Sequence, residues 1–92
     1  MLTTVAIDVY CQKTHEGNLV YRLYMDNDLL TERTWIWPAY EIYLNEVMEV
    51  ELEPGEHCVK LINDNNITFK NVSVNQNIVS IADKLQEFVF KI

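Results

Sequence analysis

Apolar residues recur at every second position in several short segments of this chain. Segment 5–11 has an apolar side chain at every odd position, and segment 88–92 has one at every even position. Because successive side chains of a β-strand point to opposite faces, such a segment has one face to bury and one for solvent. The pattern predicts strands and argues against amphipathic helices over these segments.

Turn residues separate the alternating segments. Residues 26–28, Asp-Asn-Asp, lie between segments 19–25 and 30–37, which together predict a hairpin. Pro54-Gly55 has the order that a type II turn requires. Short strands at this spacing predict an all-β fold, an antiparallel β-sandwich of seven to nine strands that is jelly-roll or immunoglobulin-like.

In the strand predicted over residues 67–74, the apolar residues shift by one position partway along. Ile67 and Phe69 are at odd positions, whereas Val72 and Val74 are at even positions. An added residue reverses the facing of every side chain after it. The sequence therefore predicts a β-bulge near residues 70–71.

Composition supports one small β domain. Ten Val, eight Ile and six Thr stand against only three Ala, and β-branched side chains suit a pleated sheet. A chain of 92 residues is shorter than a typical domain, so we expect a single sandwich domain over residues 1–92.

Charge and hydropathy exclude several partners. The net charge is −7, whereas a nucleic-acid binder needs Lys and Arg to neutralise phosphates. No apolar run approaches the roughly 20 residues of a membrane span. The start, residues 1–4, lacks the basic and apolar regions of a secretory signal, so we expect a cytoplasmic protein. Cys11 and Cys58 have no zinc-ligand spacing and are expected to be thiols.

No catalytic motif is visible. Nucleophilic catalysis needs a nucleophile beside a base that a third group orients. His15 and His57 are the only histidines, and neither lies in such a motif. Gly17 and Gly55 are the only glycines, so no glycine-rich phosphate loop exists. We therefore expect a protein that is not an enzyme.

Aromatic side chains cluster around Pro38. Trp35, Trp37, Tyr40 and Tyr43 lie within nine residues, on a segment whose two faces cannot both be core in a thin domain. One interpretation is an exposed platform for protein contact or for stacking on a sugar. The alternative is a buried position in the core of the second sheet.

Two loops are rich in oxygen ligands. Asp26 and Asp28 lie in one loop, and Asn63 and Asp64 lie in the other. Calcium takes six to eight oxygen ligands, so the two loops together would suit it. Turn chemistry explains the same residues, and we expect no cofactor, with calcium as the alternative.

Acidic residues line one face of the strand predicted over residues 40–53. Glu49, Glu51 and Glu53 share that face, and Glu46 and Glu56 lie close by in sequence. The interpretation that we favour is a solvated strand face that discourages pairing between sheet edges. The alternative is a cation site or a docking surface for a basic partner.

Two longer segments carry resemblances to known proteins. Leu29-Leu30-Thr31-Glu32-Arg33-Thr34-Trp35, followed by residues 52–61, resembles small β-sandwich proteins of marine bacteriophages, especially those that infect cyanobacteria. The Pro54-Gly55-Glu56-His57 turn is similar to calcium-dependent, xylan-binding carbohydrate modules, in which an Asn-Asp loop helps to hold the ion. Asn63 and Asp64 stand in a comparable place.

The resemblances imply two functions. The first is a structural or assembly module of a phage virion, such as a capsid decoration or a fibre or tail component, made in the host cytoplasm. Its partners would be virion proteins or further copies of itself. The second is a calcium-dependent carbohydrate-binding module that uses the aromatic platform to bind a glycan.

Overall fold

The computed structural model describes residues 1–11, 19–36, 42–63 and 67–92. Within these ranges the chain forms eight strands and no helix, and therefore no helix that could cross a membrane. In chain order the strands are β1 (Leu2–Cys11), β2 (Leu19–Met25), β3 (Asp28–Trp35), β4 (Tyr43–Glu51), β5 (Glu56–Ile62), β6 (Ile67–Val74), β7 (Asn77–Ser80) and β8 (Glu87–Lys91).

The strands form two antiparallel sheets of four strands each. Sheet A has the order β4-β1-β6-β7, and sheet B has the order β3-β2-β5-β8. The two sheets pack against each other around one core of buried side chains. The predicted all-β, antiparallel sandwich of seven to nine strands is confirmed, as is the hairpin of β2 and β3.

Alternation decides which side chains enter the core. The odd positions of β1 and β2 point inwards and the even positions point outwards, as the sequence predicts. Buried apolar residues of the strands form the core between the sheets: Val5, Ile7, Val9, Cys11, Tyr21, Leu23, Met25, Trp35, Met48, Val59, Leu61, Ile67, Phe69, Val72, Val74 and Phe90.

The bulge predicted in β6 is present. Asp8 of β1 pairs with Lys70, but Ala6 pairs with Ser73. A step of two residues along β1 therefore corresponds to a step of three along β6. Asn71 has a φ of 55°, in the left-handed region that Asn tolerates better than most residues. The extra residue keeps apolar side chains on both sides of it in the core.

Two predicted turns are also present, at the same end of the sandwich. Asp26 and Asn27 have φ of 58° and 144° between β2 and β3. Gly55 has a φ of 133°, which favours glycine, between β4 and β5. The backbone of Gly55 exchanges two hydrogen bonds of 3.0 Å with Ile92, so this turn also holds the last residue of the chain.

One acidic residue lies inside the sandwich. Glu46 of β4 is only 5% exposed, in contrast to Glu49 and Glu51 on the outer face of the same strand. The Tyr21 hydroxyl donates a hydrogen bond of 3.0 Å to its Oε1 atom, and Arg33 forms an ion pair with the same carboxylate. Since β3 and β4 are edge strands of different sheets, this pair joins the two edges across the side of the sandwich.

The environment of Glu46 explains why it stays inside. A cavity of about 270 Å³ lies beside the ion pair, lined by residues of β3 and β4. Burial and the nearby Glu46 carboxylate raise the pKa of Tyr21 well above its usual range, so its hydroxyl keeps the proton that it donates. A buried carboxylate is tolerated when such partners satisfy it.

Replacing Glu46 with alanine tests this inter-sheet contact. We expect Glu46→Ala to lower the free energy of unfolding by about 1–3 kcal/mol, because the buried Tyr21 hydroxyl loses its acceptor. Glu49→Ala is the matched control, since Glu49 is an exposed glutamate of the same strand and should change stability by no more than about 0.5 kcal/mol. Equal effects of the two substitutions in urea unfolding would contradict the role of Glu46.

Candidate functional site

The structure separates the aromatic residues that the sequence grouped together. Trp35 is completely buried and belongs to the core, which corrects its expected place on an exposed platform. Its position on β3 points between the sheets, where a large apolar ring gains most from burial. Trp37 and Tyr40 lie outside the described residues. Tyr43 is 50% exposed, on the outer face of sheet A.

Tyr43 forms a cluster with two residues that the sequence analysis did not select. Tyr10 of β1 is its direct cross-strand partner, and the two ring centroids are 5.5 Å apart with the rings tilted by 58°. Lys70 of β6 places Nζ 4.2 Å from the centroid of the Tyr43 ring and 5.7 Å from that of Tyr10. We call these three residues the tyrosine platform.

Hydrogen bonds hold the tyrosine platform in place. Lys70 Nζ donates to the Tyr43 hydroxyl at 3.0 Å, and this bond raises the pKa of Lys70, against the opposing effect of burial. The Tyr10 hydroxyl accepts a hydrogen bond of 2.9 Å from the backbone amide of Lys84. The platform therefore presents a fixed ammonium group beside two aromatic rings, a cation–π arrangement.

Three polar side chains lie beside the platform on the same face. Asn45 Nδ2 donates to Asp8 Oδ1 at 2.9 Å, and Asn71 Nδ2 donates to Asp8 Oδ2 at 3.0 Å. Asp8 lies two residues from Tyr10, and Asn45 lies two residues from Tyr43, so both follow the rings along their strands. The face thus continues from aromatic to amide and carboxylate groups.

The acidic face of β4 also continues from Tyr43. Glu49 and Glu51 are exposed and share its parity, so one outer strand face runs from an aromatic ring to two carboxylates. Glu53, just beyond β4, is exposed as well. The solvated face that the sequence predicts is therefore confirmed for these three glutamates.

Two of the residues predicted to hold calcium, Asp26 and Asn63, do not converge. Met25 pairs with Val59 and Arg22 pairs with Ile62, so the loops that begin at Asp26 and at Asn63 lie at opposite ends of the β2–β5 pair. The two loop starts are five residue steps apart along the strands, which is about 17 Å. One ion cannot bridge that distance.

The individual ligands have other roles. Asn63 caps its own turn, donating to the Val20 carbonyl at 2.8 Å and accepting from the Ile67 amide at 3.1 Å. Asp28 is exposed at the start of β3, and Asp64 lies outside the described residues. In the ranges that the structure describes, no three His, Cys, Asp or Glu residues are placed to hold a metal.

Asp26 instead forms an ion pair with His57. His57 Nδ1 lies 2.6 Å from Asp26 Oδ2, and Nε2 lies 2.6 Å from the Glu53 carbonyl oxygen. Both partners are acceptors, so both ring nitrogens carry protons and the imidazole is charged. The hydrogen bond to Asp26, followed by the one to Glu53, raises the pKa of His57.

The same contact anchors the β2–β3 turn to β5. Asp26 Oδ1 accepts a hydrogen bond of 2.8 Å from the Cys58 amide, and the Asp26 amide donates one of 2.9 Å to the Cys58 carbonyl. Burial acts to raise the pKa of Asp26, but the hydrogen bonds from His57 and Cys58 outweigh it and lower that pKa. The His57–Asp26 pair is therefore a charged bridge between turns.

A groove beside this bridge contains the Cys58 thiol. The groove has a volume of about 270 Å³ on the outer face of sheet B, and Cys58, Tyr24 and Lys60 are among its lining residues. Burial, and then the negative charge of Glu87, raise the pKa of the Cys58 thiol, which keeps it protonated. His57 directly precedes Cys58 on β5, so its side chain points to the opposite face of the sheet, away from this thiol.

No protein-family model, curated protein or solved structure matches this chain. The resemblances to phage proteins and to xylan-binding modules therefore stay predictions.

The charged bridge between His57 and Asp26 makes the stability of the fold depend on pH. Its contribution to stability is complete below the ordinary His pKa of 6.5, and it is lost as the pH rises through the raised pKa of His57 in the folded protein. It is also lost as the pH falls below the ordinary Asp pKa of 3.8 towards the lowered pKa of Asp26. The bridge is thus strongest between these two ordinary values.

We therefore expect His57→Gln to lower the melting temperature most between pH 4 and 6.5, with a smaller difference as the pH rises further. An NMR titration of the imidazole should give a pKa above 6.5 in the wild type and a lower one in Asp26→Asn. Asp28→Asn, at an exposed aspartate, is the control. An imidazole pKa that Asp26→Asn leaves unchanged would contradict the bridge.

Proposed function

We propose that this chain is a non-enzymatic structural module that binds a protein surface, as an accessory component of a particle such as a phage virion. The observation that carries the proposal is the tyrosine platform with its half-exposed Tyr43. Tyrosine is among the residue types that dominate binding energy at protein contacts, because it combines a large apolar ring with a hydroxyl.

Neighbouring side chains support a contact surface around the platform. Ile36 is 63% exposed and Ile42 is 38% exposed. These two residues flank residues 37–41, in the segment where the sequence predicts the contact. Exposed apolar side chains next to an exposed aromatic ring favour binding of another protein, since association removes their surface from water. Ile42 directly precedes Tyr43, at the end of β4 that carries the platform.

Charge selects the kind of partner. Glu49 and Glu51 share the outer face of β4 with Tyr43, and the chain carries a net charge of −7. A second copy docked on this face would bring like charges together, whereas a basic surface would be attracted. The proposed partner of the tyrosine platform is therefore a protein with a basic, partly apolar surface.

The geometry of the titratable groups supports a binding role over a catalytic one. Both nitrogens of His57 donate to oxygen acceptors, and the Cys58 thiol has a raised pKa. A general base needs a free lone pair within reach of the proton that it takes. These two residues act as structural groups in this arrangement.

A selection from a displayed random peptide library tests the contact. With the wild-type protein as bait, we expect enrichment of basic peptides whose binding weakens about tenfold or more in Tyr43→Ala, as loss of a dominant contact residue does. Binding should also weaken with added salt, because the acidic residues are exposed. Val47→Ala is the matched control, since Val47 is an exposed residue of the same strand face.

The selection also has outcomes that count against the proposal. If no enriched peptide depends on Tyr43, or if Tyr43→Ala and Val47→Ala weaken binding equally, the tyrosine platform is not the contact surface. Circular dichroism of each variant confirms that the sandwich remains folded.

A second candidate function is binding of a glycan at the same face. The observation that favours it is the group of Asp8, Asn45 and Asn71 beside the rings. Carboxylate and amide groups can bond sugar hydroxyls while an aromatic ring covers the apolar face of the sugar. The xylan-binding modules use calcium, whereas this candidate uses Tyr10 and Tyr43 and needs no calcium, because the predicted ligands Asp26 and Asn63 lie apart.

Titration calorimetry against a panel of glycans separates the two candidates. Glycan binding predicts saturable heat that Tyr43→Ala removes and that EDTA leaves unchanged. We also expect EDTA to leave the melting temperature unchanged, because a calcium site that stabilised the fold would lower it on chelation. A melting temperature that falls with EDTA and recovers with calcium would contradict this view of the oxygen-rich loops.

A further inference from the structure

The edge of sheet A formed by β7 exposes large apolar side chains. Ile78 is 71% exposed, Val79 is 44% exposed, and Ile81, just beyond the strand, is 79% exposed. We call these three residues the isoleucine patch. Single apolar residues on a surface are ordinary, but here three of the four consecutive residues 78–81 are large, apolar and exposed, and such clustering is typical of interaction sites.

A bulge decides how this edge can make a contact. Val72 of β6 pairs with Ser80, and the next residue, Ser73, pairs with Ile78. Val79 is therefore an extra residue on β7, opposite no single residue of β6. Bulges and short edge strands hinder the addition of another strand, so the patch would bind through side-chain packing rather than through a continuous ladder.

The charge around the patch is unusual for this chain. Residues 75–82 contain no charged side chain, although the protein has a net charge of −7. The other three edge strands all carry charges: Glu32 and Arg33 on β3, Glu49 and Glu51 on β4, and Glu87 and Lys91 on β8. Among the strands that the structure describes, β7 is thus the edge strand that brings no charge of its own to a contact, and Asp83 and Lys84, just beyond Ile81, carry opposite charges.

We propose that the isoleucine patch is a contact between two copies of this chain, packed about a two-fold axis. Identical patches are self-complementary in such an arrangement, and charged residues are depleted from the centre of protein interfaces. β7 and β4 are opposite edges of sheet A, so the contact is separate from the outer face of β4 that carries Tyr43. The inference goes beyond the proposed function and does not depend on it.

The size of the patch sets the strength of the contact. A stable dimer buries about 800 Å² on each partner, whereas the entire chain exposes 5671 Å². Three side chains cover only part of such an area, so the dimer is weak in dilute solution. Many copies held on one particle would strengthen it through their high effective concentration.

Sedimentation velocity over a range of protein concentrations tests the contact. The wild type should form a concentration-dependent dimer, and added salt should strengthen it by screening the repulsion between two chains of charge −7. Ile81→Lys should raise the dissociation constant about tenfold or more, because it places like charges at the contact. Ile78→Lys is a second variant with the same expected result.

Two controls separate this surface from the rest of the molecule. Val89→Lys adds the same charge at an exposed valine of β8, the edge of the other sheet, and should leave the dissociation constant within about twofold. A mixture of Ile81→Lys with Ile81→Glu should restore dimers that neither variant forms alone. Restoration identifies a contact between two copies of the same patch.

A wild type that remains monomeric at every concentration would overturn the proposal. Dimers that Ile81→Lys and Ile78→Lys leave intact, or that Val89→Lys weakens equally, would overturn it as well. Tyr43→Ala should not change the dimer, and the Ile81 variants should still bind the selected basic peptides. Failure of this inference and failure of the proposed function are therefore distinguishable.

Discussion

Burial of two apolar sheet faces against each other is the interaction on which the rest of this structure depends. Neither four-stranded sheet could be stable alone, because each has an inward face of Val, Ile, Leu and aromatic side chains. β1 shows the constraint most clearly: Val5, Ile7 and Val9 are completely buried between the sheets. Removal of this surface from water is the main favourable contribution to folding.

Polar contacts then fix how the sheets and turns sit on that core. The Glu46–Arg33 pair joins the two sheets at one side, and the His57–Asp26 pair joins two turns at one end. Their environments differ, since the Glu46 carboxylate is buried whereas Asp26 is partly exposed. Solvent weakens the pair between the turns, so the pair at Glu46 is the more important one for stability.

Because the core uses the inward faces, the outer faces and edges remain for binding. The two proposed contacts differ in charge, and this difference assigns them to different partners. Tyr43 shares its strand face with Glu49 and Glu51, which disfavours another copy of the acidic chain and favours a basic surface. The isoleucine patch lies in an uncharged segment, where a second copy meets no repulsion at the contact. A module with both surfaces would bind a particle through one and its neighbour through the other.

Local patterns in the sequence determined the strands, their inward residues, the bulge at Asn71 and the turn at Gly55. A period of two, a parity change and a Pro-Gly pair are each visible within a few residues. Only the tertiary structure decided that Trp35 is core, that Glu46 is buried and that Asp26 bonds His57 rather than an ion. The tyrosine platform forms because β1 lies between β4 and β6, which brings Tyr10, Tyr43 and Lys70 together. The order of strands in a sheet depends on pairing between segments that are distant in the sequence. Alternation assigns each side chain to a face of its own strand, but it holds no information about which strand lies beside it.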